Sequence, residues 1–293
     1  MKTIAHLLTL FPRSQALALL LGGGLLLSAS AARAQTVFVV DDWYGSYSQM
    51  SGVSQGGTGS PTFQYTATAQ GMGQVWAYFS DSPVQLADGA KMTLSTTLTV
   101  YLRDGATSVT TPLVFGIFQS SPRPPAPEGD SGRVVSGSPY TYGWKGFFTS
   151  TSSDSGVKDR VMRRNDNVVT YSNTSNMNIS RSAMAEGFTA VSTFGNGEPI
   201  ILELSLERQG DSLIFSGTLG GETFRGTFNS AFLEYSDTFD AIGFNMGTST
   251  GVGFASVQFS NTRVTVIPEV SGVTLGLLGG GLLLVGVAFK RAK

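Results

Sequence analysis

The chain has 293 residues, 37 of them glycine, with no cysteine, a single histidine and a formal net charge of −1. Without cysteine, no disulfide bond, thiolate nucleophile or zinc–thiolate site can form. The one histidine, His6, precedes residues 35–267, so Ser-His-Asp, Cys-His and His-ligated metal mechanisms are excluded in that body. The body carries 13 basic and 19 acidic residues, a net charge of −6, which does not suit a nucleic-acid-binding protein.

Residues 1–34 have the three parts of a cleavable signal peptide. Lys2 and Arg13 precede an apolar stretch at 16–27, and Ala32-Arg33-Ala34 has the small-x-small pattern that signal peptidase reads. We predict cleavage after Ala34, with signal peptidase and the export machinery as partners. An uncleaved N-terminal anchor is the alternative, although the apolar stretch is short for a membrane span.

Alternation of apolar and polar residues predicts strands throughout the body. In Lys91–Leu102, the face with Met92, Leu94, Leu98, Val100 and Leu102 is apolar, and Thr93, Ser95, Thr97 and Thr99 form the other face. Residues 199–207 repeat the pattern, with Ile200, Leu202, Leu204 and Leu206 inward. Further strands are predicted at 37–40, 63–68, 74–79, 113–118, 142–149, 213–219, 223–228, 240–246 and 254–266.

Ten to twelve strands without convincing helical periodicity predict one all-β domain, an antiparallel β-sandwich over residues 35–267. Two stretches interrupt the pattern. Residues 119–138 contain four prolines and predict an exposed excursion with polyproline II character. Residues 152–197 are polar and predict a long loop with a short strand at 168–171.

Five pieces of the body together resemble the concanavalin-like, laminin-G-like jelly-roll domains. They are LADGAKMTLSTTLTVYL, LVFGIFQS, IILELSLERQGDSLIFSG, FDAIGFNMG and ASVQFSNTRVTVIP. The resemblance implies two curved antiparallel sheets. That fold carries lectins, adhesive modules and glycosidases alike, so it does not choose a function.

Residues 203–207 resemble the Glu-x-Asp-x-Glu strand of one retaining glycosidase family with this fold. Ser205 stands where the family has aspartate, between Glu203 and Glu207. Glutamates four residues apart on a strand have Cα atoms ~13 Å apart, whereas a retaining pair needs its carboxyl groups within ~5.5 Å. The sequence therefore favours an outward strand face over a catalytic pair, and we predict that the protein is not an enzyme.

Two aromatic stretches leave binding open. Tyr140, Tyr142 and Trp144 alternate, so their rings would share a strand face, either as a platform for glycan rings or as part of the core, which the sequence favours. Asp41 and Asp42 could contribute to a calcium site, but no spaced run of oxygen ligands follows them. We predict no metal and no cofactor.

The chain ends in VIPEVSGVTLGLLGGGLLLVGVAFKRAK. Residues 270–289 contain no charge, and twenty helical residues span ~30 Å, the thickness of the hydrocarbon core of a bilayer. The cations Lys290, Arg291 and Lys293 follow and predict a cytoplasmic C-terminus. We therefore predict a transmembrane helix at 270–289 and a basic tail at 290–293.

The order of motif, helix and cations resembles the PEP-CTERM sorting signal of Gram-negative bacteria. The motif is Pro268-Glu269-Val270, with valine where the family has a second proline. The resemblance implies that residues 268–293 are recognised by an exosortase, a membrane-embedded enzyme resembling a cysteine protease. It also implies transient membrane anchoring, followed by residence at the cell surface or in the extracellular matrix.

Together these patterns predict an exported, exosortase-sorted protein of the cell envelope or extracellular matrix, with a structural or adhesive role and no catalysis. A carbohydrate-binding, lectin-like module is the alternative, with extracellular polysaccharide as a candidate partner. A glycoside hydrolase that uses Glu203 and Glu207 is the third interpretation, and no nucleic acid is expected as a partner.

Processing at the sorting motif gives the first testable prediction. Because Pro268 keeps the preceding residue extended, as a protease substrate must be, we expect the surface form to end near Glu269. Mass spectrometry of the mature C-terminus measures this directly. A surface protein that retains Lys293 would contradict processing.

Overall fold

The computed structural model describes residues 35–46, 49–55, 58–120, 144–150, 160–164, 182–183, 193–228, 237–247 and 251–268. Every regular element in these ranges is a β-strand. No helix that is long and apolar enough to span a membrane is found in them. Gln35–Ile267 is one of two compact units into which the chain divides, and the other combines Met1–Ala34 with Pro268–Lys293. The strands are β1 Thr36–Val39, β2 Asp42–Ser46, β3 Met50–Gln55, β4 Pro61–Tyr65, β5 Gly73–Tyr78, β6 Val84–Gln85, β7 Lys91–Leu102, β8 Ser108–Thr110, β9 Leu113–Gln119, β10 Lys145–Ser150, β11 Arg160–Arg164, β12 Ser182–Ala183, β13 Thr193–Gly195, β14 Pro199–Gln209, β15 Ser212–Leu219, β16 Glu222–Phe228, β17 Thr238–Phe239, β18 Ala241–Met246 and β19 Phe254–Ile267.

Two antiparallel sheets contain most of these strands. The eight-stranded sheet has the order β16-β15-β14-β7-β19-β4-β3, with β1 also paired to β19. The seven-stranded sheet has the order β12-β11-β10-β9-β18-β5-β2. Two short pairs, β13 with β8 and β17 with β6, complete the described strands. The predicted antiparallel β-sandwich is confirmed.

The core lies between the two sheets and is centred on Trp43. Its ring is fully buried and stacks on Phe244 of the seven-stranded sheet and on Phe259 of the eight-stranded sheet, at centroid distances of 6.1 and 4.9 Å. The indole nitrogen donates a hydrogen bond to the carbonyl oxygen of Val40 at 2.8 Å. Such ring pairs add ~0.5–1.5 kcal/mol beyond the burial of their area, so this group ties the two sheets together.

The predicted strand β7 has the expected bounds and alternation, with one addition. Thr96 faces the core with the apolar residues and is 2% exposed. Its hydroxyl lies 2.7 Å from the hydroxyl of Thr262, which is 1% exposed. A β-bulge between Ser260 and Arg263 turns Thr262 inward, and Asn261 within it adopts a φ of 56°, a left-handed conformation that asparagine tolerates. The bulge therefore gives the buried hydroxyl of Thr96 its partner.

The prediction of a long loop at 152–197, interrupted by one short strand at 168–171, is wrong in its strand content. Strands β11, β12 and β13 lie inside it, and β11 pairs with β10 to extend the seven-stranded sheet. The sequence also did not predict β2, an edge strand of the seven-stranded sheet, or β3, an edge strand of the eight-stranded sheet. The predicted strand at 168–171 lies outside the described residues, as does the excursion from residue 121 onward.

Strand β19 joins the two ends of the body. It pairs with β7 along one side and, on the other, with β4 near its start and β1 near its end. Thr36 is opposite Val266, so the first strand of the body lies against its last residues. This strand is therefore paired on both sides over about half of its length.

The buried hydroxyl pair gives a stability prediction. Thr96→Val leaves the hydroxyl of Thr262 without this partner, and Thr262→Val leaves the hydroxyl of Thr96 only a long hydrogen bond of 3.4 Å to the carbonyl oxygen of Ser260. Each variant should therefore lower the free energy of unfolding by ~1–3 kcal/mol. The double variant should lose less stability than the two single variants lose together, because no unpaired hydroxyl remains. Urea unfolding measures all three, with Thr97→Val on the outer face as the control expected within ~0.5 kcal/mol of the parent. Additive losses would mean that the two hydroxyls do not interact.

Candidate functional site

The outer face of the seven-stranded sheet carries a second aromatic cluster. In β5, Val75 and Ala77 point into the core, so Trp76 and Tyr78 point to the opposite side. Tyr44 of β2 stacks on Trp76 with a centroid distance of 6.0 Å. We call this group the outer cluster, and its buried members are Tyr44, Trp76, Tyr78, Val114, Phe118, Trp144, Phe148 and Ala241.

Trp144, a predicted platform residue, belongs to the outer cluster and is 0% exposed. Its ring lies 5.9 Å from that of Tyr78 and 5.8 Å from that of Phe118. A platform for glycan rings needs an exposed ring face, and Trp144 has none. Its predicted companions Tyr140 and Tyr142 lie outside the described residues. Trp144 is therefore buried, as the core interpretation requires, but it lies in the outer cluster and not in the core between the two sheets.

Two polar atoms near this cluster are buried without a hydrogen-bond partner among the described residues. They are the Nε1 atom of Trp144 and the Oε1 atom of Gln74, whose residue is 5% exposed. An unsatisfied buried polar group costs ~1–3 kcal/mol. Packing of the rings therefore has to offset this cost.

A cleft of about 440 Å³ lies beside Tyr78, where β1 leads into β2 and β5 ends. Asp42 is opposite Tyr78 in the pairing of β2 with β5, and both line the cleft. Asp41 and Asp81 add two further carboxylates. The remaining lining residues are the hydroxyl-bearing Ser80 and Ser82 and the apolar Phe38, Val39 and Phe79.

Local hydrogen bonds and ring contacts shape the cleft. The Oδ1 atom of Asp41 accepts a hydrogen bond from the backbone nitrogen of Gly59 at 2.6 Å. The hydroxyl of Ser80 donates to the carbonyl oxygen of Ser82 at 2.7 Å, which holds the chain after β5 in a tight bend. Phe38 and Phe79 meet edge to face at 5.6 Å and give the cleft an apolar wall. The cleft thus combines carboxylates, hydroxyls and rings.

The structure places the predicted Asp41 and Asp42 together with an aspartate that the sequence did not single out. Asp81 is 39 positions away from Asp42 and joins it only because β5 pairs with β2. In the described part of the chain, no group of three or more His, Cys, Asp or Glu residues is arranged to hold a metal ion. The period-two pattern of 74–79 could have indicated Tyr78, since it places that ring opposite the core residues.

Glu203 and Glu207 lie on the outer face of the eight-stranded sheet. Glu203 is exposed, and Glu207 accepts a hydrogen bond from the side-chain nitrogen of Gln209. Between them, the hydroxyl of Ser205 lies 2.8 Å from that of Thr93 on β7. Ser205, which stands where the glycosidase family has aspartate, therefore links β14 to β7 through its hydroxyl.

The terminal signals lie almost entirely outside the described residues. These are Ala32 and Ala34 of the predicted cleavage site, Glu269 and Val270 of the sorting motif, the predicted helix, and the basic residues Lys290, Arg291 and Lys293. Pro268 is described and exposed, directly after β19.

No family model matches the chain, and no curated protein is similar to it at a significant level. Solved structures with a related arrangement of strands include lectin II from Ulex europaeus, with 11% identity, a TM-score of 0.39, and coverage of 81% of this chain and 100% of that one. Arcelin-5, a lectin-like defence protein from Phaseolus vulgaris, has 10% identity, a TM-score of 0.40, and coverage of 80% and 99%. The metal-free carbohydrate recognition domain of Emp46p has 10% identity, a TM-score of 0.41, and coverage of 78% and 88%. Similarities this low do not identify a function.

The buried position of Trp144 gives a prediction. Trp144→Ala removes a large ring from a packed cluster and should lower the free energy of unfolding by ~3–5 kcal/mol. The neighbouring Lys145→Ala, at a half-buried position, is the matched control and should stay within ~0.5 kcal/mol. Urea unfolding followed by circular dichroism compares the two, and equal midpoints would show that the ring is not packed as described.

Proposed function

We propose that the protein is an exported, non-catalytic adhesive protein of the cell envelope or extracellular matrix, and that its body binds neutral carbohydrate. The observation that carries the proposal is the cleft formed by Asp41, Asp42, Tyr78 and Asp81. It joins hydrogen-bonding groups and apolar rings within one concave surface.

The dimensions and chemistry of the cleft suit a sugar residue. Pockets for small ligands measure ~300–1,000 Å³ and combine apolar walls with a few polar groups that fix orientation, and this cleft measures about 440 Å³. A sugar presents hydroxyl groups along its edge and C–H groups on its faces. Carboxylates accept short, strong hydrogen bonds from hydroxyl donors, and rings such as Phe38 provide an apolar contact for the C–H faces.

The charge of the cleft favours neutral over acidic glycans. Three carboxylates line it, and the whole body has a formal charge of −6. A uronic acid or sulfated sugar would bring another negative charge close to these groups, and like charges in a cleft repel more strongly than in bulk water. We therefore expect binding of neutral polysaccharide.

Export and sorting complete the proposal and are supported by the sequence of the two ends. The signal peptide at 1–34 implies export, and the tail at 268–293 implies anchoring by a membrane helix and recognition by an exosortase. The body ends with β19 at Ile267, so the sorting motif follows the last strand without a linker. This brings the motif within one residue of the folded body.

The non-catalytic assignment is supported by the side chains available. The body has neither histidine nor cysteine. Ser205 replaces the aspartate that the glycosidase pattern requires, and its hydroxyl contacts Thr93. No described feature favours hydrolysis over binding.

A glycan array probed with the full chain tests the proposal. We expect binding to one or more neutral glycans, and Asp42→Asn and Asp81→Asn should each weaken it about tenfold, because a charged acceptor contributes roughly 1.5 kcal/mol more than a neutral one. Asp211→Asn, in the exposed turn between β14 and β15, is the matched control and should bind as the parent does.

Three results would overturn parts of this proposal. Loss of binding in the Asp211 variant would make the effect one of net charge and not of the cleft. Binding that is unchanged in both cleft variants would place the glycan elsewhere. Turnover of a bound glycan that is lost in Glu203→Gln would show that the protein is a hydrolase.

A further inference from the structure

The exposed hydrophobic residues of the described chain share one surface. Four large ones are exposed: Val37 at 49%, Val39 at 48%, Tyr101 at 40% and Ile201 at 62%. The strand registers place all four on the outer face of the eight-stranded sheet. Val37 and Val39 are two positions apart on β1, and Ile201 and Tyr101 lie on β14 and β7. This face is therefore the candidate interaction surface of the described chain.

The registers that support this placement are specific. Thr93 of β7 faces outward, since its hydroxyl contacts that of Ser205 and its neighbours Met92 and Leu94 are core residues. Val37 is opposite Thr265, which is opposite Thr93. Ile201 is opposite Thr97, further along the same face of β7. Tyr101 lies four positions beyond Thr97 on that face.

Lys91, Glu207 and Arg225 lie towards one end of this face, and the rest of it is poor in charge. The face has the size of a stable interface. Between the apolar residues the central strands present hydroxyl groups, among them those of Thr93, Ser95, Thr97, Ser216 and Thr218. Depletion of charge is typical of the centre of interfaces. Five strands at ~4.8 Å spacing, with about nine residues each at a ~3.3 Å rise, cover roughly 700 Å², close to the ~800 Å² per partner of a standard interface.

Two charged residues identify the partner. Arg263 of β19 and Glu203 of β14 are both opposite Ser95, one on each side of β7. Both are exposed, and neither side chain makes a hydrogen bond or ion pair within the described residues. A twofold axis along β7, parallel to the face, would bring each of these charges over the opposite charge of a second copy.

We propose that the outer face of the eight-stranded sheet packs face to face on a second copy of this chain. Arg263 lies against Glu203 of the partner subunit, and the same pair repeats on the other side of the axis. Aligned sheets pack in this way at a separation of ~10 Å. An isologous contact of this kind is the commonest closed arrangement of protein subunits.

The axis has two geometric consequences. The outward residues of β7, including Lys91, Thr97 and Tyr101, lie on the axis and face their own counterparts, and Glu207 of each copy lies beside the two lysines. Because the axis runs along the strands, β19 points the same way in both copies. Both predicted tails then leave the dimer in one direction, as two chains anchored in one membrane require. The proposal does not depend on glycan binding, although Val39 of β1 both lines the cleft and is exposed on this face.

Chemical cross-linking of the full chain in membranes tests the proposal. The chain has no cysteine, so a single introduced cysteine reports one position. Thr97→Cys lies on the axis, and a bis-maleimide matched to the ~10 Å separation of stacked sheets should link it to its counterpart. Thr223→Cys on β16 is the matched control. It lies three strands from β7 on the same face, so its counterpart is ~29 Å away, and we expect at least about tenfold less dimer.

Charge reversal in the Thr97→Cys background then identifies the contact. Glu203→Arg and Arg263→Glu each place like charges together twice, and each should reduce the cross-linked dimer about tenfold. The double variant exchanges the charges and should restore the dimer to within about twofold of the parent. Thermal melts show whether each variant remains folded.

Several outcomes would overturn the proposal. Equal cross-linking of the two cysteine variants would indicate random collision. If the folded Thr97→Cys variant gives no cross-linked dimer, this face does not pack on a second copy. A dimer that is insensitive to charge reversal would place the contact elsewhere. Protection of the introduced thiol by added polysaccharide, without any dimer, would show a glycan-binding surface instead.

Discussion

Contact between the inner faces of two sheets is the constraint on which the rest of this structure depends. Trp43 stacks on Phe244 from its own sheet and on Phe259 from the other, so one ring fixes the spacing and alignment of both layers. Every strand that crosses this interface must bury alternate residues, because side chains on a strand point to opposite faces. The second faces of the two sheets are thereby left for other uses.

The two outer faces differ in chemistry. The seven-stranded sheet buries Trp76, Tyr78 and Trp144 in the outer cluster, with the carboxylate cleft at its edge. The eight-stranded sheet exposes hydroxyl groups with a few apolar side chains between them. The two proposed activities would therefore use largely different surfaces, which meet at Val39 of β1, a residue that lines the cleft and is exposed on the outer face.

The sequence predicted strands correctly where one face of the strand is buried and the other is exposed, and it failed where this alternation is missing. Strand β7 was predicted with its correct bounds because twelve residues alternate almost without interruption. The local pattern could not explain why Thr96 lies among apolar residues, because its hydrogen-bonding partner Thr262 is 166 positions away in the sequence. Strand β11, with the sequence RVMRR, has no period-two pattern and forms by pairing with β10.

The candidate site shows the same limit. The sequence drew attention to Asp41 and Asp42 but could not supply Asp81, which reaches the cleft only through the pairing of β2 with β5. The alternation at Tyr140, Tyr142 and Trp144 indicated a shared face without indicating whether that face is covered. Residues 142–149 carry large rings on both alternating sets, and a strand apolar on both sides does not reveal which side meets solvent.

The position of β19 affects when the fold can form. This strand of 14 residues is the last in the body, yet it lies inside the eight-stranded sheet between β7 and the strands β1 and β4. Until it has been synthesised, the larger sheet lacks its middle and β1 has no partner. Pairing between such distant segments is slow. If the chain is exported as proposed, the eight-stranded sheet would therefore be completed only after its last strand has crossed the membrane.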